Sequence, residues 1–571
     1  MTKKNLITDI LVYIAILLLF FTANVLVPML PDWDWYNYRA YNCWAFLNDR
    51  LTVDFMASNL RTCINPLLLL PEYFLSLNIK NYYLFALIGN IDISFLMFMV
   101  YKIAGVIFPT KKLGTIIGLG IFSTLYVLLS PMMLKLSPIG SHFDVKIALL
   151  CIWGLYFLLK NLYIEDSKNR SIMICLSGCF FGAATGFKYT SAEYFISVLL
   201  IILLLSKSVT KPVKTLLVFL IGGVSAFMLT GGIWLYYCYK VYHNPVFPYF
   251  NDIFASQFAD KIRLLDSDYH HLLPKNIFQY ILYPLNIPNN EFCAFGYDSF
   301  SKDYRWAISY VIVLVTSLLL LLKNFSQNIS KIFQNLIDLR YLYLFLLFII
   351  IPYLFNTAIF GTYRYILPSY CLFGILIFIF AELIFYNFKS KKTLIVLFCI
   401  IPLLFVYIIC DNGNNETFKP TKYNFNSPVF EWQNLGFKDN SKVLILNNPS
   451  SIAIVNQNKN AQYLGFAFPK ELINEVEKSE EEDIFWGTYF VPSEYLADLN
   501  ERIILGNDTI HVVYNEDIYN DNKTFNMVIK ALNYYNSKRA LKRKLTNCYP
   551  VNLKFYGISD SFGKNIRCDF N

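Results

Sequence analysis

Apolar residues along this chain come in long runs, and the polar residues are gathered into short clusters between them. Runs of about 17 to 25 residues match what an α-helix needs to cross roughly 30 Å of hydrocarbon at about 1.5 Å per residue. About eleven such segments are predicted, near 7–30, 82–108, 113–130, 145–160, 172–187, 191–206, 215–238, 306–322, 341–358, 366–387 and 393–410. The first follows Lys3 and Lys4 and has no small-residue cleavage site at its end, so it reads as a retained helix and not a removed signal. After Asp411 the pattern changes. Asn, Asp, Glu and Lys become frequent, with short β-like runs at 442–446 and 452–455 and a helical pattern over 525–538. The chain therefore reads as mainly α: a polytopic transmembrane helical domain over 1–410, then a small soluble α/β domain over 411–571.

Composition sharpens this. Of 571 residues, 56% are hydrophobic, 18% aromatic and only 16% charged, against about 25% charged in soluble domains. The net charge of +9 does not form a nucleic-acid face, because the cations sit between apolar runs. Alternate loops carry Lys3/Lys4, Lys111/Lys112, Lys160/Lys168/Arg170, Lys207/Lys211/Lys214, Lys323/Lys331/Arg340 and Lys389/Lys391/Lys392. By the positive-inside rule these are cytoplasmic, as is the N-terminus. The loops 31–81 and 239–305 and everything after 410 then lie on the far side. Both loops are long and rich in aromatics, and connectors beyond about 12–15 residues tend to carry function. Twelve cysteines show no metal-ligand spacing. Cys548 and Cys568 could pair if the tail faces an oxidising compartment.

Candidate chemistry clusters on that far side. The first loop opens PDWDWYNYRAYNCWAFLNDR, placing Asp32 and Asp34 among Trp33, Trp35, Tyr36 and Tyr38. A partly desolvated carboxylate is a plausible general base, since desolvation raises its pKa, and the faces of Trp35 and Tyr38 suit stacking on sugar rings. Ordinary interfacial aromatics with solvated acids fit the same composition. Arg39, Arg61, Lys188, Arg305 and Arg364 are cations placed against the usual charge bias, suited to a phosphate at headgroup level or to a nearby acid. His142 and Asp144 open the fourth helix and Glu193 lies one turn into the sixth; boundary carboxylates invite a functional reading, although Asp144 also suits a helix N-terminus. The prolines of HNPVFPYFND at 243–252 point to a rigid turn in which Asn244 and Pro245 are structural. No HExxH, nucleophile elbow or phosphate loop occurs.

Four stretches, in order, carry a resemblance: DWDWYNYRAYNCWAFLNDR with INPLLLLPEY, then GAATGFKYTSAEY, NPVFPYFNDIF and GTYRYILPSY. Together they cover nearly all of 1–410, and the chain resembles a bacterial member of the GT-C superfamily, the multi-spanning glycosyltransferases that use polyprenyl-phosphate sugars. The resemblance implies a catalytic acid in the first loop. In similar sequences it lies four residues before a Tyr-His pair; here Asp34 lies four before Tyr38, which Arg39 follows, with Asp32 the alternate acid. It implies that Lys188 and Arg364 hold the donor phosphate, and that Asp303 and Arg305 belong to a loop folded back toward the cavity. The reaction implied is inverting transfer from a polyprenyl-phosphate-linked sugar donor to a glycan or glycolipid acceptor. Some relatives use a divalent cation, for which Asp32, Asp34 and Asp144 are the candidate ligands. Richness in Asn, Ile, Lys and Phe suggests an AT-rich bacterial genome, hence the inner (cytoplasmic) membrane. A flippase or transporter of a lipid-linked glycan, or a glycan polymerase, is the alternative; the former asks for charged or broken helices at the bilayer midplane.

Overall fold

The structure is a computed structural model that describes residues 3–26, 31, 34–129, 142–258, 273–286, 304–322, 331, 333, 337–386, 388, 390–397, 399, 429–446, 450–467, 469, 472, 494–506, 509–516, 522–537, 543–555 and 564–571. The helices are α1 (Lys3–Leu26), α2 (Ala40–Leu47), α3 (Leu70–Asn78), α4 (Tyr82–Gly89), α5 (Ile91–Ile107), α6 (Leu113–Leu128), α7 (His142–Asn161), α8 (Lys168–Phe187), α9 (Ala192–Leu204), α10 (Pro212–Phe227), α11 (Ile233–Tyr242), α12 (Asn251–Phe254), α13 (Ile277–Asn286), α14 (Arg305–Leu322), α15 (Leu339–Ile359), α16 (Leu367–Tyr370), α17 (Phe373–Ile384), α18 (Glu494–Ile504) and α19 (Asn522–Ser537). Each predicted membrane segment coincides with helix, the last as far as residue 399. Among the described residues seven spans are long and apolar enough to cross a membrane, and the chain is an integral membrane protein. The segment predicted at 215–238 is α10 and α11 joined by a π turn at Met228–Gly232, which carries no ionisable residue.

Shared acids draw cations of the polar loops together in pairs. Lys111 and Lys391 both reach Glu382, each at 2.8 Å. Lys211 and Lys214 both reach Asp166, at 2.7 and 2.9 Å, and Lys102 pairs with Asp9 of α1 at 2.7 Å. The tightest helix contact is α8 on α10, built on small residues that let backbones approach without a hydrophobic driving force. A Cβ added at Gly178 would strike the Phe219 carbonyl, and one at Gly182 the backbone of Gly223.

The segment 243–258 is a turn held by its own amides, as expected. Buried Asn244 donates to the Tyr249 carbonyl at 2.9 Å and accepts from Val246 N at 3.0 Å.

The tail forms a five-stranded mixed sheet of β3 (Lys442–Ile445), β4 (Gln462–Gly465), β5 (Ile510–Asn515), β6 (Leu545–Asn552) and β8 (Lys564–Phe570), ordered β4-β3-β5-β8-β6. Its first three strands are parallel and the other pairings antiparallel; β2 (Phe430–Glu431) and β7 (Lys554–Phe555) make a separate pair. Cys548 and Cys568 form a disulfide between β6 and β8. Strand alternation divides the sheet's two faces. Leu444 and Val512 pack with Ile504 and Leu532 of α18 and α19, whereas Val443 and Ile445 share a core with Trp35, Trp44 and Tyr73 of the first long loop.

That loop also joins the sheet edge. Phe55 N donates to the Tyr463 carbonyl at 3.1 Å and Gly465 N to the Phe55 carbonyl at 2.9 Å, just before β1 (Ala57–Leu60). Arg50 donates to the carbonyls of Lys459 and Ala461 and is ion-paired with Asp54, whose Oδ1 accepts from Tyr463 N at 2.9 Å. Arg50 is 4% exposed. Asp54→Ala is therefore expected to leave a buried cation uncompensated and to lower stability by about 3–5 kcal/mol, read as faster limited proteolysis within 429–571. An unchanged cleavage rate would show that the pair is dispensable for docking.

Candidate active site

Asp34 opens a helix whose first turn, Trp35–Arg39, is π-helical and continues into α2. The wide turn brings Arg39 back onto Asp34: Nη2 lies 2.6 Å from Oδ2. Arg364, on the 3-10 turn Tyr363–Ile366 after α15, approaches the same oxygen at 3.0 Å through Nη1. Oδ1 receives no hydrogen bond among the described residues, although Asp34 is only 8% exposed. Both arginines thus grip one oxygen and leave the other without a hydrogen bond among the described residues.

Lys188 caps the C-terminus of α8 and is ion-paired with Asp144 in the first turn of α7. Its Nζ lies 4.0 Å from the centroid of the Tyr365 ring and 5.4 Å from that of Phe143; the Arg39 guanidinium lies 5.6 Å from the same Phe143 ring. Two residues that the sequence reading passed over hold this geometry. Asn356 accepts from Thr362 N at 3.2 Å, shaping the turn that presents Arg364, and donates to Glu193 Oε2 at 3.2 Å. Asn65 donates to the carbonyls of Gly186 and Thr230 at 3.2 and 3.0 Å, pinning the first loop beside the end of α8. A lone amide inside LFNTAIF is the available signal for Asn356; Asn65 stands in the stretch INPLLLLPEY.

Electrostatics follow. Burial pushes the Asp34 carboxyl up, but Arg39, Arg364, Arg61 and Lys188 together more than reverse this and hold it below its ordinary value. Desolvation alone, the basis for expecting a raised pKa, is outweighed. Burial pushes Lys188 down; Asp144 opposes this, Arg364 and Arg39 add to it, and the net direction is down. The cluster sets four cations against Asp34 and Asp144, so it keeps surplus positive charge even with Glu193 ionised. Activity that uses these groups is expected to stay flat on its acid side to about pH 5, since Asp34 is ionised throughout. It falls on the alkaline side as Lys188 loses its proton below the ordinary lysine value of about 10.4. A rate-against-pH profile checks both limbs; an acid limb near pH 6 that moves in Asp34→Glu would contradict the first.

Other expected residues are placed elsewhere. Trp35 is fully buried and stacks on Phe430 of the tail, with ring centroids 6.1 Å apart, so its face is in the core and not open to a sugar. Tyr38 is 7% exposed, its ring 5.6 Å from the Arg39 guanidinium. Arg305 donates to the Tyr126 and Leu129 carbonyls at 2.8 and 3.0 Å, satisfying the end of α6, and is not gathered with Asp34. His142 is the first residue of α7. Asp32 and Asp303 lie outside the described residues. No group of three His, Cys, Asp or Glu side chains converges among the described residues. Asp34 and Asp144 each face cations that oppose a divalent ion, so these two carboxylates do not suit one.

No family model and no curated protein matches the chain. Among solved structures, ArnT from Cupriavidus metallidurans bound to undecaprenyl phosphate aligns at 10% identity and TM-score 0.47, over 100% of this chain and 98% of that one. The apo state of the same protein aligns at 10% identity and TM-score 0.48, over 98% and 97%. At that level of likeness, the chemistry of the site rests on its own geometry.

Proposed function

We propose that this chain is a GT-C-type inverting glycosyltransferase. It takes sugar from a polyprenyl-phosphate carrier and passes it to an extracytoplasmic glycan or glycolipid. The observation that carries this reading is one carboxylate with an open oxygen, set in a surplus of cations where the helical domain meets its long loops. A phosphate-linked donor needs the cations, and an attacking hydroxyl needs the carboxylate. The proposed orientation follows the cationic clusters: that end is cytoplasmic, the site and tail lie outside, and the membrane is a bacterial inner membrane.

In this reading Arg364, with a side chain 36% exposed, leaves Asp34 for the donor phosphate. Removing that nearby cation raises the basicity of Asp34 when donor is bound. Oδ1 then takes the proton of the acceptor hydroxyl as its oxygen attacks the anomeric carbon. The carbon–oxygen bond to phosphate breaks, and the polyprenyl phosphate leaves with the electron pair. Arg364 and Lys188 stabilise the charge that develops there. The test is transfer from radiolabelled polyprenyl-phosphate hexoses and pentoses in membranes containing the protein and a native glycolipid acceptor. Label in the acceptor supports the reading. Donor left unconsumed across the panel overturns it in favour of transport.

A further inference from the structure

The tail holds a cleft of about 460 Å³ that plays no part in the chemistry above. Its walls are the segment from Trp432 to Phe437 and the turn at Asn456, and none of its lining residues is ionisable. Gly436 and Asn456 both adopt left-handed backbone, φ 67° and 60°, the conformation these residue types tolerate best. Buried Gln457 fixes the two walls to each other: its Oε1 accepts from Leu435 N at 2.9 Å and its Nε2 donates to the Gln433 carbonyl at 2.8 Å. The cleft is thus built before any ligand arrives.

Three side-chain amides of its walls have unused N–H donors. The side-chain oxygens of Gln433, Asn434 and Asn456 accept from Asn552 N, Gly436 N and the Tyr73 hydroxyl. Their amide nitrogens make no hydrogen bond among the described residues. Neutral donors beside a half-buried indole, on a lining that itself carries no ionisable side chain, suit a ligand with hydroxyl acceptors and an apolar C–H face. A phosphate or carboxylate would find no cation among the lining residues.

The cleft is fixed relative to Asp34. Trp432 packs on Phe430 at 5.4 Å between ring centroids, and Phe430 stacks on Trp35, the residue after Asp34. Ser451 donates to the Asn37 carbonyl, and Tyr73 of the first loop reaches Asn456 at 3.3 Å. We propose that this cleft is a carbohydrate subsite for an uncharged stretch of oligosaccharide, held at a set distance from the reacting centre. Naming that oligosaccharide part of the acceptor rests on the transferase reading; binding itself does not.

The test uses full-length protein in nanodiscs without donor, and saturation-transfer NMR with two- to five-unit oligosaccharides. One panel is built from neutral hexoses and N-acetylhexosamines, the other from uronic acids. Neutral oligosaccharides are expected to bind in preference to acidic ones. Gln433→Ala and Asn434→Ala, both at exposed positions, each weaken binding by about 3- to 10-fold, and Trp432→Ala by about 10-fold or more, with Trp432→Phe recovering part. Binding of neither panel, or binding unchanged in the Gln433→Ala/Asn434→Ala double variant, overturns the proposal. Neutral binding without any sugar transfer keeps the subsite and removes the transferase; transfer with no binding at the cleft does the reverse.

Discussion

Asp34→Asn is expected to lower sugar transfer by about 10²- to 10⁴-fold, the range lost with a general base. The amide keeps the shape of the side chain but cannot take the proton. It also strips Arg39, 2% exposed, of its counter-charge, which costs about 3–5 kcal/mol where a buried pair is broken. Loss of activity alone therefore confounds catalysis with folding. The double variant Asp34→Asn/Arg39→Gln separates them, because removing both charges relieves the unpaired cation. Its melting temperature is expected to return most of the way to wild type while transfer stays low. Wild-type turnover in the double variant would falsify Asp34 as the base.

The second large effect lies in the membrane. Gly182→Leu is expected to prevent stable accumulation of the protein, because the new side chain would collide with the backbone of Gly223 on α10. Flexible side chains can move aside for about 1–3 kcal/mol, but a facing backbone can yield only by separating the two helices. Lys188 follows directly on α8, so any protein that survives would misplace it. Gly118→Leu on α6 is the control, since a Cβ there meets nothing within 4 Å. Expression and detergent melting of the two variants should differ sharply. Equal behaviour would show that the α8–α10 contact is not a stability determinant.

How far the sequence could be read depended on the distance over which each interaction acts. Span positions follow from run length, a local property, and helix agrees with each predicted segment as far as residue 399. The gathering of Asp34 with Arg364 spans 330 positions, and no local pattern announces it; only the resemblance had placed both residues at one site. The pairing of Lys188 with Asp144, 44 residues apart, was equally out of reach. Trp35 was misplaced for a related reason. An aromatic beside a membrane segment looks interfacial until its partner Phe430, nearly 400 residues on, is known. The glycines at 178, 182 and 186 are legible at four-residue spacing, but only 182 and 186 fall in a stretch that the resemblance singles out. Arg305 was offered to phosphate because its true acceptors are main-chain carbonyls, which sequence does not display.

The seam between the first loop and the sheet has a consequence for synthesis of the chain. Arg50 finds its acceptor carbonyls at Lys459 and Ala461, 409 and 411 residues later. At about 5–20 residues per second, a ribosome needs roughly 20–80 s to bridge that interval. Throughout it, a nascent chain has threaded most of its helices but carries a loop whose aromatic core has no lid. Asp34 and Arg39 are translated long before the turn that supports them, Ser451 lying 414 residues after its acceptor Asn37. An interrupted translation product is therefore inserted and inert, and an aromatic-rich surface left uncovered is what quality-control proteases recognise.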